Sequence, residues 1–212
     1  MDRSRLEAFS DGVFAVAITL LALNITVEGP ASPYSLAHQL GSRWPAFVAY
    51  LISFTTIGII WVNHHSLIRS IKAVDRTLLF VNLGLLLFVV LIPFSTATAA
   101  EYLTRGTWDS NVAIMLFNGV FLGMSVGFGA IFEWTLHGDR VYTPVPREQH
   151  WLARLRFAGG AAGYVVALVV ALFNPYASFI VDGLIAVYYI TERTPAAAAG
   201  EPDDPGDDGS VF

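Results

Sequence analysis

The first apolar segment of the chain spans residues 5–24, with the sequence Arg5-Leu-Glu-Ala-Phe9-Ser10-Asp11-Gly12-Val-Phe-Ala-Val16-Ala-Ile-Thr19-Leu20-Leu-Ala-Leu23-Asn24. It is long enough to cross a bilayer, because a spanning helix needs roughly 20 predominantly apolar residues. An arginine and an aspartate nevertheless lie near its start. A charge in hydrocarbon is costly, so an ionisable residue in a membrane helix usually marks a functional site or a fixed partner. The segment therefore predicts a membrane helix with a polar site at one end.

The composition of the whole chain also indicates a membrane protein. Its 212 residues are 55% hydrophobic and 14% charged, whereas a soluble domain typically has about 25% charged residues. The chain has no cysteine, which excludes disulfides and thiolate metal sites. No basic patch is interleaved with aromatic residues, so nucleic acid is not an expected partner. The first apolar run is too long for the core of a cleavable signal peptide, and we expect it to remain as a helix.

Six apolar segments predict an all-α, polytopic membrane protein with six transmembrane helices. They cover residues 6–27, 44–67, 77–102, 111–136, 156–173 and 176–190, within a transmembrane domain of residues 1–193. The last two segments are divided at Asn174-Pro175, because proline cannot continue a helix interior. Residues 194–212 contain a cluster of acidic residues with proline and glycine, which predicts a disordered C-terminal tail.

The distribution of basic residues predicts the orientation of these helices. If the N-terminus is inside, only Arg43 and Arg105 of the 12 lysines and arginines fall in the outer segments. Loops on the cytoplasmic side carry an excess of lysine and arginine. Both termini are therefore expected to be cytoplasmic.

The first segment has an apolar stripe and a polar residue on different faces. At about 100° per residue, one stripe contains Phe9, Gly12, Val16, Leu20, Leu23 and Val27, and Thr19 borders it. Asp11 projects roughly opposite. In one arrangement the stripe packs on lipid or a neighbouring helix and Asp11 is a structural lock. In the other, the stripe faces a symmetry axis and forms an apolar constriction. Periodicity alone favours the first, because most apolar helix faces are packing faces.

The pattern R-x-x-x-F-S-D-G-V-F-A-[IV]-A-I-T-L-L, which begins at Arg5, resembles the first helix of the TMEM175 family of potassium channels. In that family the first helix of each of four subunits lines the ion path, and bulky apolar rings narrow it. The resemblance implies a homotetramer with a central pore and reverses the preference between the two arrangements. It assigns Val16, Leu20 and Leu23 to the constriction and Thr19 to a polar ring beside them. Apolar rings can gate by dewetting, and hydroxyl rings can replace part of an ion's hydration.

The function implied by the resemblance is passive conduction of K⁺, without enzymatic activity and without a cofactor. The chain contains no T-V-G-Y-G filter, so backbone carbonyls of that kind cannot select the ion. Selection must then come from side chains and pore width, and we expect a modest preference for K⁺ over Na⁺. A six-helix chain is similar to the prokaryotic members, which implies a bacterial plasma membrane.

A second motif, W-x-x-H-H, lies at the inner end of the second segment and is also typical of the family. Together with the first motif it implies a network between helices that holds the first helix in place. The residues assigned to this network are Arg5, Phe9, Ser10, Asp11, Trp61, His64 and His65.

Other functions for these polar residues remain open from the sequence. Neighbouring histidines on a helix point about 100° apart and seldom share one ion, so no metal site is expected. Histidine titrates near neutral pH, which leaves proton sensing open. A secondary transporter would use Asp11 or Asp182 as its proton or sodium site. A small membrane enzyme would use His64, His65 and Asp11, but nothing resembles a nucleophile, base and oxyanion arrangement.

Overall fold

A computed structural model describes residues 2–137, 140–142 and 150–191, and this part of the chain is helical. The predicted tail at 194–212 lies outside the described residues. The α-helices are α1 (Arg3–Ala22), α2 (Leu36–Ser42), α3 (Trp44–Arg69), α4 (Arg76–Tyr102), α5 (Trp108–Thr135), α6 (His150–Ala171) and α7 (Pro175–Thr191). A 3₁₀ turn, Leu103–Arg105, follows α4.

Three segments of the described chain are long and apolar enough to cross a membrane by length and composition: Trp44–Arg69, Arg76–Arg105 and Trp108–Thr135. The apolar parts of α6 and α7, Ala158–Ala171 and Pro175–Ile190, are shorter. Helix α1 is less apolar because Arg5, Glu7 and Asp11 all lie within it. Its stability in a bilayer therefore depends on partners for these polar residues.

The predicted first segment, residues 6–27, is wrong at its outer end because α1 ends at Ala22. The N–H of Leu23 bonds to the carbonyls of Leu20 and Leu21, and the next two N–H groups also make i→i+3 bonds. Such bonds tighten and end an α-helix. The β-branched run Ile25-Thr26-Val27 follows and is a poor helix former. Leu23 is consequently a C-cap residue, and Val27 does not continue the helical stripe.

The other five predicted segments each correspond to one helix, with different ends. Helix α6 begins at His150 rather than at residue 156, and α5 covers Trp108–Thr135 rather than 111–136. The short helix α2 was not predicted; Ser35 caps it by accepting a hydrogen bond from the N–H of His38. A break at residues 172–174 separates α6 from α7, and the Asn174 side chain accepts from the N–H of Ala177.

The helices pack around one apolar core, in which α5 packs closely against α4. A Cβ atom on Gly127 would lie 2.9 Å from the Cα of Leu85, and one on Gly123 would overlap the ring of Phe88. Small residues allow helices to approach this closely. These two glycines therefore serve packing within the subunit. Helix α1 packs on α3 and α4, whereas α7 packs on α3, α5 and α6.

Candidate functional site

Helix α1 buries one face in the subunit and exposes the other. Leu6, Ser10, Phe14, Ala17 and Leu21 are buried against α3 and α4. On the other face the side chains of Val16, Leu20 and Leu23 are 57%, 40% and 70% exposed. The exposed face contains all four residues assigned to the constriction and polar ring, because Thr19 is exposed as well.

A buried chain of hydrogen bonds joins α1, α4 and α3. The Asn82 amide donates to Ser10 Oγ over 3.0 Å, and its oxygen lies 2.7 Å from His64 Nε2. Because the Asn82 oxygen can only accept, His64 Nε2 must carry the hydrogen of this bond. Ser10 in turn donates to the carbonyl of Leu6 over 2.9 Å. Ser10, Asn82 and His64 are all almost fully buried.

A second, half-buried cluster lies at the same end of α1. Trp61 Nε1 donates to Asp11 Oδ1 over 2.9 Å. His65 Nδ1 lies 3.5 Å from Asp11 Oδ2 and 3.3 Å from Glu7 Oε1. These contacts join α1 to α3 by electrostatic attraction when His65 is protonated. We refer to Glu7, Asp11, Trp61 and His65 as the inner cluster.

The inner cluster also contains a donor set suited to a metal ion. One ligand atom from each of Glu7, Asp11 and His65 lies within 4.8 Å of the others. The prediction of no metal site rested on the two adjacent histidines, whose side chains point apart on a helix, and did not include Glu7. In the structure these histidines do diverge: His64 bonds to Asn82 on α4, whereas His65 faces the carboxylates of α1.

The structure brings five of the seven predicted network residues into contact and leaves two apart. Ser10, Asp11, Trp61, His64 and His65 take part in the contacts above. Arg5 and Phe9 are exposed, and the described chain contains no hydrogen bond or ion pair to Arg5. Arg3 instead anchors the start of α1, donating to the carbonyls of Arg69 and Ile71.

Sequence reasoning missed two members of these clusters, Glu7 and Asn82. Glu7 precedes Asp11 by four residues, a spacing that places both carboxylates on one helix face. Asn82 is a polar residue in an apolar helix, which signals a buried partner. Both signals were present, but neither identifies the partner on another helix.

The outer end of α1 is held by a separate contact. The Asn24 side chain donates to the carbonyl of Pro93 on α4 over 3.1 Å. Between the two ends, the hydroxyl of Thr19 donates to the carbonyl of Val16 over 2.9 Å. The Thr19 hydrogen is thus used within the helix, and the oxygen lone pairs remain available on the exposed face.

The bond between Trp61 and Asp11 is expected to make a modest contribution to stability. Trp61→Phe keeps an aromatic ring but removes the donor, so we expect a loss of about 1–2 kcal/mol, because a solvent-exposed hydrogen bond contributes less than a buried one to a charged group. Thermal unfolding of the purified protein in detergent measures the effect. Trp108→Phe is a matched control because Trp108 is exposed at the start of α5. Equal effects of the two variants would contradict a stabilising role for this bond.

The fold and this site define a class: a multi-pass helical membrane protein whose first helix is locked by polar contacts and exposes an apolar face. Comparison with known proteins agrees with that class. A family model described as the endosomal/lysosomal potassium channel TMEM175 matches residues 5–93. A potassium channel from Streptomyces collinus is 40% identical over 195 residues, which cover 92% of this chain and 94% of that protein.

A solved structure extends the likeness over most of the fold. The crystal structure of a lysosomal potassium-selective channel TMEM175 homolog from Chamaesiphon minutus matches with a TM-score of 0.79 and 33% identity, covering 89% of this chain and 96% of that chain. The endosomal/lysosomal proton channel TMEM175 of Mus musculus is 37% identical over 135 residues, which cover 57% of this chain and 27% of that protein. The chain belongs to the TMEM175 family, as the first-helix motif predicted.

Proposed function

We propose that this chain forms a potassium-permeable cation channel in which α1 lines the pore. The observation that carries the proposal is the exposed face of α1, because this face is left uncovered while the opposite face is locked to α3 and α4. One copy of α1 cannot enclose a pore, so several copies must place this face around an axis. The relative from Streptomyces collinus, matched over 94% of its length, is named a potassium channel, which supports K⁺ as the permeant ion.

The proposed assembly is a homotetramer with six membrane-spanning helices per subunit, α1 and α3–α7. Both termini lie in the cytoplasm, and the membrane is the bacterial plasma membrane. In this orientation the inner cluster lies at the cytoplasmic end of the pore helix and Asn24 at the outer end. The bias of lysine and arginine supports the orientation.

Along the proposed pore, Val16, Leu20 and Leu23 form apolar rings and Thr19 forms a ring of hydroxyl oxygens. The apolar rings oppose hydration of the pore and limit the flux. The Thr19 oxygens replace part of the hydration shell of a passing cation, because their hydrogens are already bonded to Val16. Four hydroxyls are a weak field compared with a carbonyl filter, so the preference for K⁺ over Na⁺ is modest.

A cysteine scan tests the proposal, and the chain suits it because it has no native cysteine. Val16→Cys, Thr19→Cys and Leu20→Cys are each reconstituted in liposomes, and K⁺ efflux is recorded before and after a cationic thiol reagent. We expect loss of most of the efflux in these three variants. Ile180→Cys is the matched control, since Ile180 is an exposed apolar residue on α7, away from the proposed pore.

Two results of the scan contradict the proposal. Equal inhibition at positions 180 and 16 would show that the reagent acts without entering a pore lined by α1. Flux that appears only with an imposed proton or sodium gradient would instead indicate the coupled transporter, which uses Asp11 or Asp182. In the described chain Asp11 is bonded to Trp61, whereas Asp182 has no such bond.

A further inference from the structure

Asp182 lies in the apolar helix α7, far along the chain from the inner cluster, and it is only 1% exposed. Its helix packs on α3, α5 and α6. Neither carboxylate oxygen has a hydrogen-bond partner in the described chain. A buried carboxylate without a donor is unusual, since most buried polar atoms have at least one partner.

Two hydroxyl groups on this side of the subunit, those of Thr56 and Ser178, already donate their hydrogens to backbone carbonyls. Tyr164 on α6 interacts with Thr56 on α3 and lies within electrostatic range of Asp182. Thr56 donates to the carbonyl of Ile52 over 2.8 Å, so its hydroxyl hydrogen is already used. Ser178, one turn before Asp182, donates to the carbonyl of Ala167 over 2.7 Å. The hydroxyls of Thr56 and Ser178 therefore have no hydrogen left for Asp182, and no other described group donates to it.

The side-chain amide of Asn118 on α5, which contacts the preceding turn of α7, has also used all of its hydrogens. Its nitrogen lies 2.9 Å from the carbonyl of Ile114 and 2.9 Å from Ser178 Oγ. Both hydrogens are therefore used, and Asn118 Oδ1 has no partner in the described chain. The unpaired buried atoms here, Asn118 Oδ1 and the two carboxylate oxygens of Asp182, are all acceptors. A proton or a cation would satisfy them.

An ionised Asp182 would be an uncompensated buried charge. Among the described residues no lysine, arginine or histidine interacts with it. Isolated buried charges cost several kcal/mol or more and normally neutralise instead. A proton removes the charge and turns one carboxylate oxygen into a donor. The titratable neighbours on the packed helices are tyrosines: Tyr164 of α6 lies within electrostatic range of Asp182, and Tyr189 of α7 lies within range of Tyr164.

We propose that Asp182 is a buried proton-binding site, which holds a proton in the folded subunit at neutral pH. The site lies apart from the pore face of α1 but shares α3 with it, because α3 contacts both α1 and α7. A small cavity of about 60 Å³ borders Thr56 and Tyr164 and continues along Asn63 and Tyr189.

Infrared spectroscopy of the full chain in lipid bilayers tests the proposal directly. A protonated carboxyl has a C=O stretch that is separate from the bands of a carboxylate. We expect this band at neutral pH in the wild type, its loss in Asp182→Asn, and its retention in Asp109→Asn, which removes an exposed acid. Identical wild-type and Asp182→Asn spectra in this region would overturn the proposal. Loss of the wild-type band on adding Na⁺ would also overturn it, in favour of a cation site.

The pH dependence of stability gives a second, independent measurement. If Asp182 is protonated when folded and ionised when unfolded, folding takes up one proton, and stability must fall as pH rises above the ordinary range of aspartate. We expect Asp182→Leu to lose this part of the pH slope and to remain folded, because an apolar residue needs no partner there. An unchanged slope in Asp182→Leu would overturn the proposal. If neither variant folds, wild-type protein with carboxyl-labelled aspartate must still show a shifted protonated-acid band, and its absence would overturn the proposal.

Discussion

Asn82→Leu is expected to destabilise the folded subunit by about 2–4 kcal/mol, because it removes two buried hydrogen bonds and leaves the Nε2 hydrogen of His64 without an acceptor. Leucine has a similar volume, so the change creates little cavity and removes mainly hydrogen bonds. Ser10 Oγ loses its donor, and His64 Nε2 keeps a hydrogen with no acceptor. Ser10 keeps its bond to the carbonyl of Leu6, whereas water cannot replace the acceptor that His64 loses, because His64 is almost fully buried. The three helices α1, α3 and α4 lose their shared polar contact at once.

Thermal unfolding in detergent and the elution volume of the assembly measure the effect of Asn82→Leu. Ser10→Ala is expected to cost less, about 1–3 kcal/mol, because only the Asn82 amide then lacks a partner. Thr98→Val is the control on the same helix: Thr98 is partly exposed, and its hydroxyl donates within α4 to the carbonyl of Phe94, one turn earlier. If Asn82→Leu proved as stable as Thr98→Val, the buried chain of hydrogen bonds would not be what locks α1.

Much of the fold could be predicted from the sequence because long apolar runs have few structural solutions in a membrane. The position of the break near Pro175 followed from the missing N–H of proline. The outer end of α1 could not be placed in this way. Residues 23–27 are as apolar as the helix before them, and hydropathy does not distinguish a helix from the i→i+3 turns that end it.

The candidate site was harder to predict because it depends on contacts between helices. Periodicity places Ser10 and Asp11 on one helix but does not show that they belong to two different clusters. Ser10 turns into the core toward Asn82, whereas Asp11, one position on, meets Trp61 at the half-exposed edge. The family motif included Arg5, yet in the described chain Arg3 makes the contacts that anchor the helix start.

Leu20→Ala is expected to raise K⁺ efflux from liposomes by about tenfold or more, the largest functional change among the predicted variants. Leu20 is the last apolar residue of the exposed face that lies firmly within α1, since the helix ends at Ala22. In the proposed tetramer the truncation removes three carbon atoms from each of four subunits. A wider and less apolar ring hydrates more easily, and each 1.4 kcal/mol removed from the barrier speeds crossing about tenfold.

The direction of the effect separates a pore residue from a packing residue. A leucine that packs on lipid or a neighbouring helix would, on truncation, lower stability and leave flux unchanged or reduced. Leu184→Ala is the matched control, because Leu184 is an exposed leucine on α7. We expect it to conduct like the wild type. The reverse substitution, Leu20→Phe, adds bulk to the same ring and should reduce the flux.

The ion preference of Leu20→Ala then tests how selection works without a carbonyl filter. If pore width at the apolar rings contributes, the wider ring admits more hydrated Na⁺, and the K⁺ to Na⁺ flux ratio should fall toward one. Parallel K⁺ and Na⁺ efflux measurements from the same liposomes give this ratio. A rise in flux with an unchanged K⁺ to Na⁺ ratio would assign selection to Thr19. Its hydroxyl oxygen lies on the same exposed side of α1, and its hydrogen is bonded to the carbonyl of Val16. No change in either quantity would mean that Leu20 does not line the ion path.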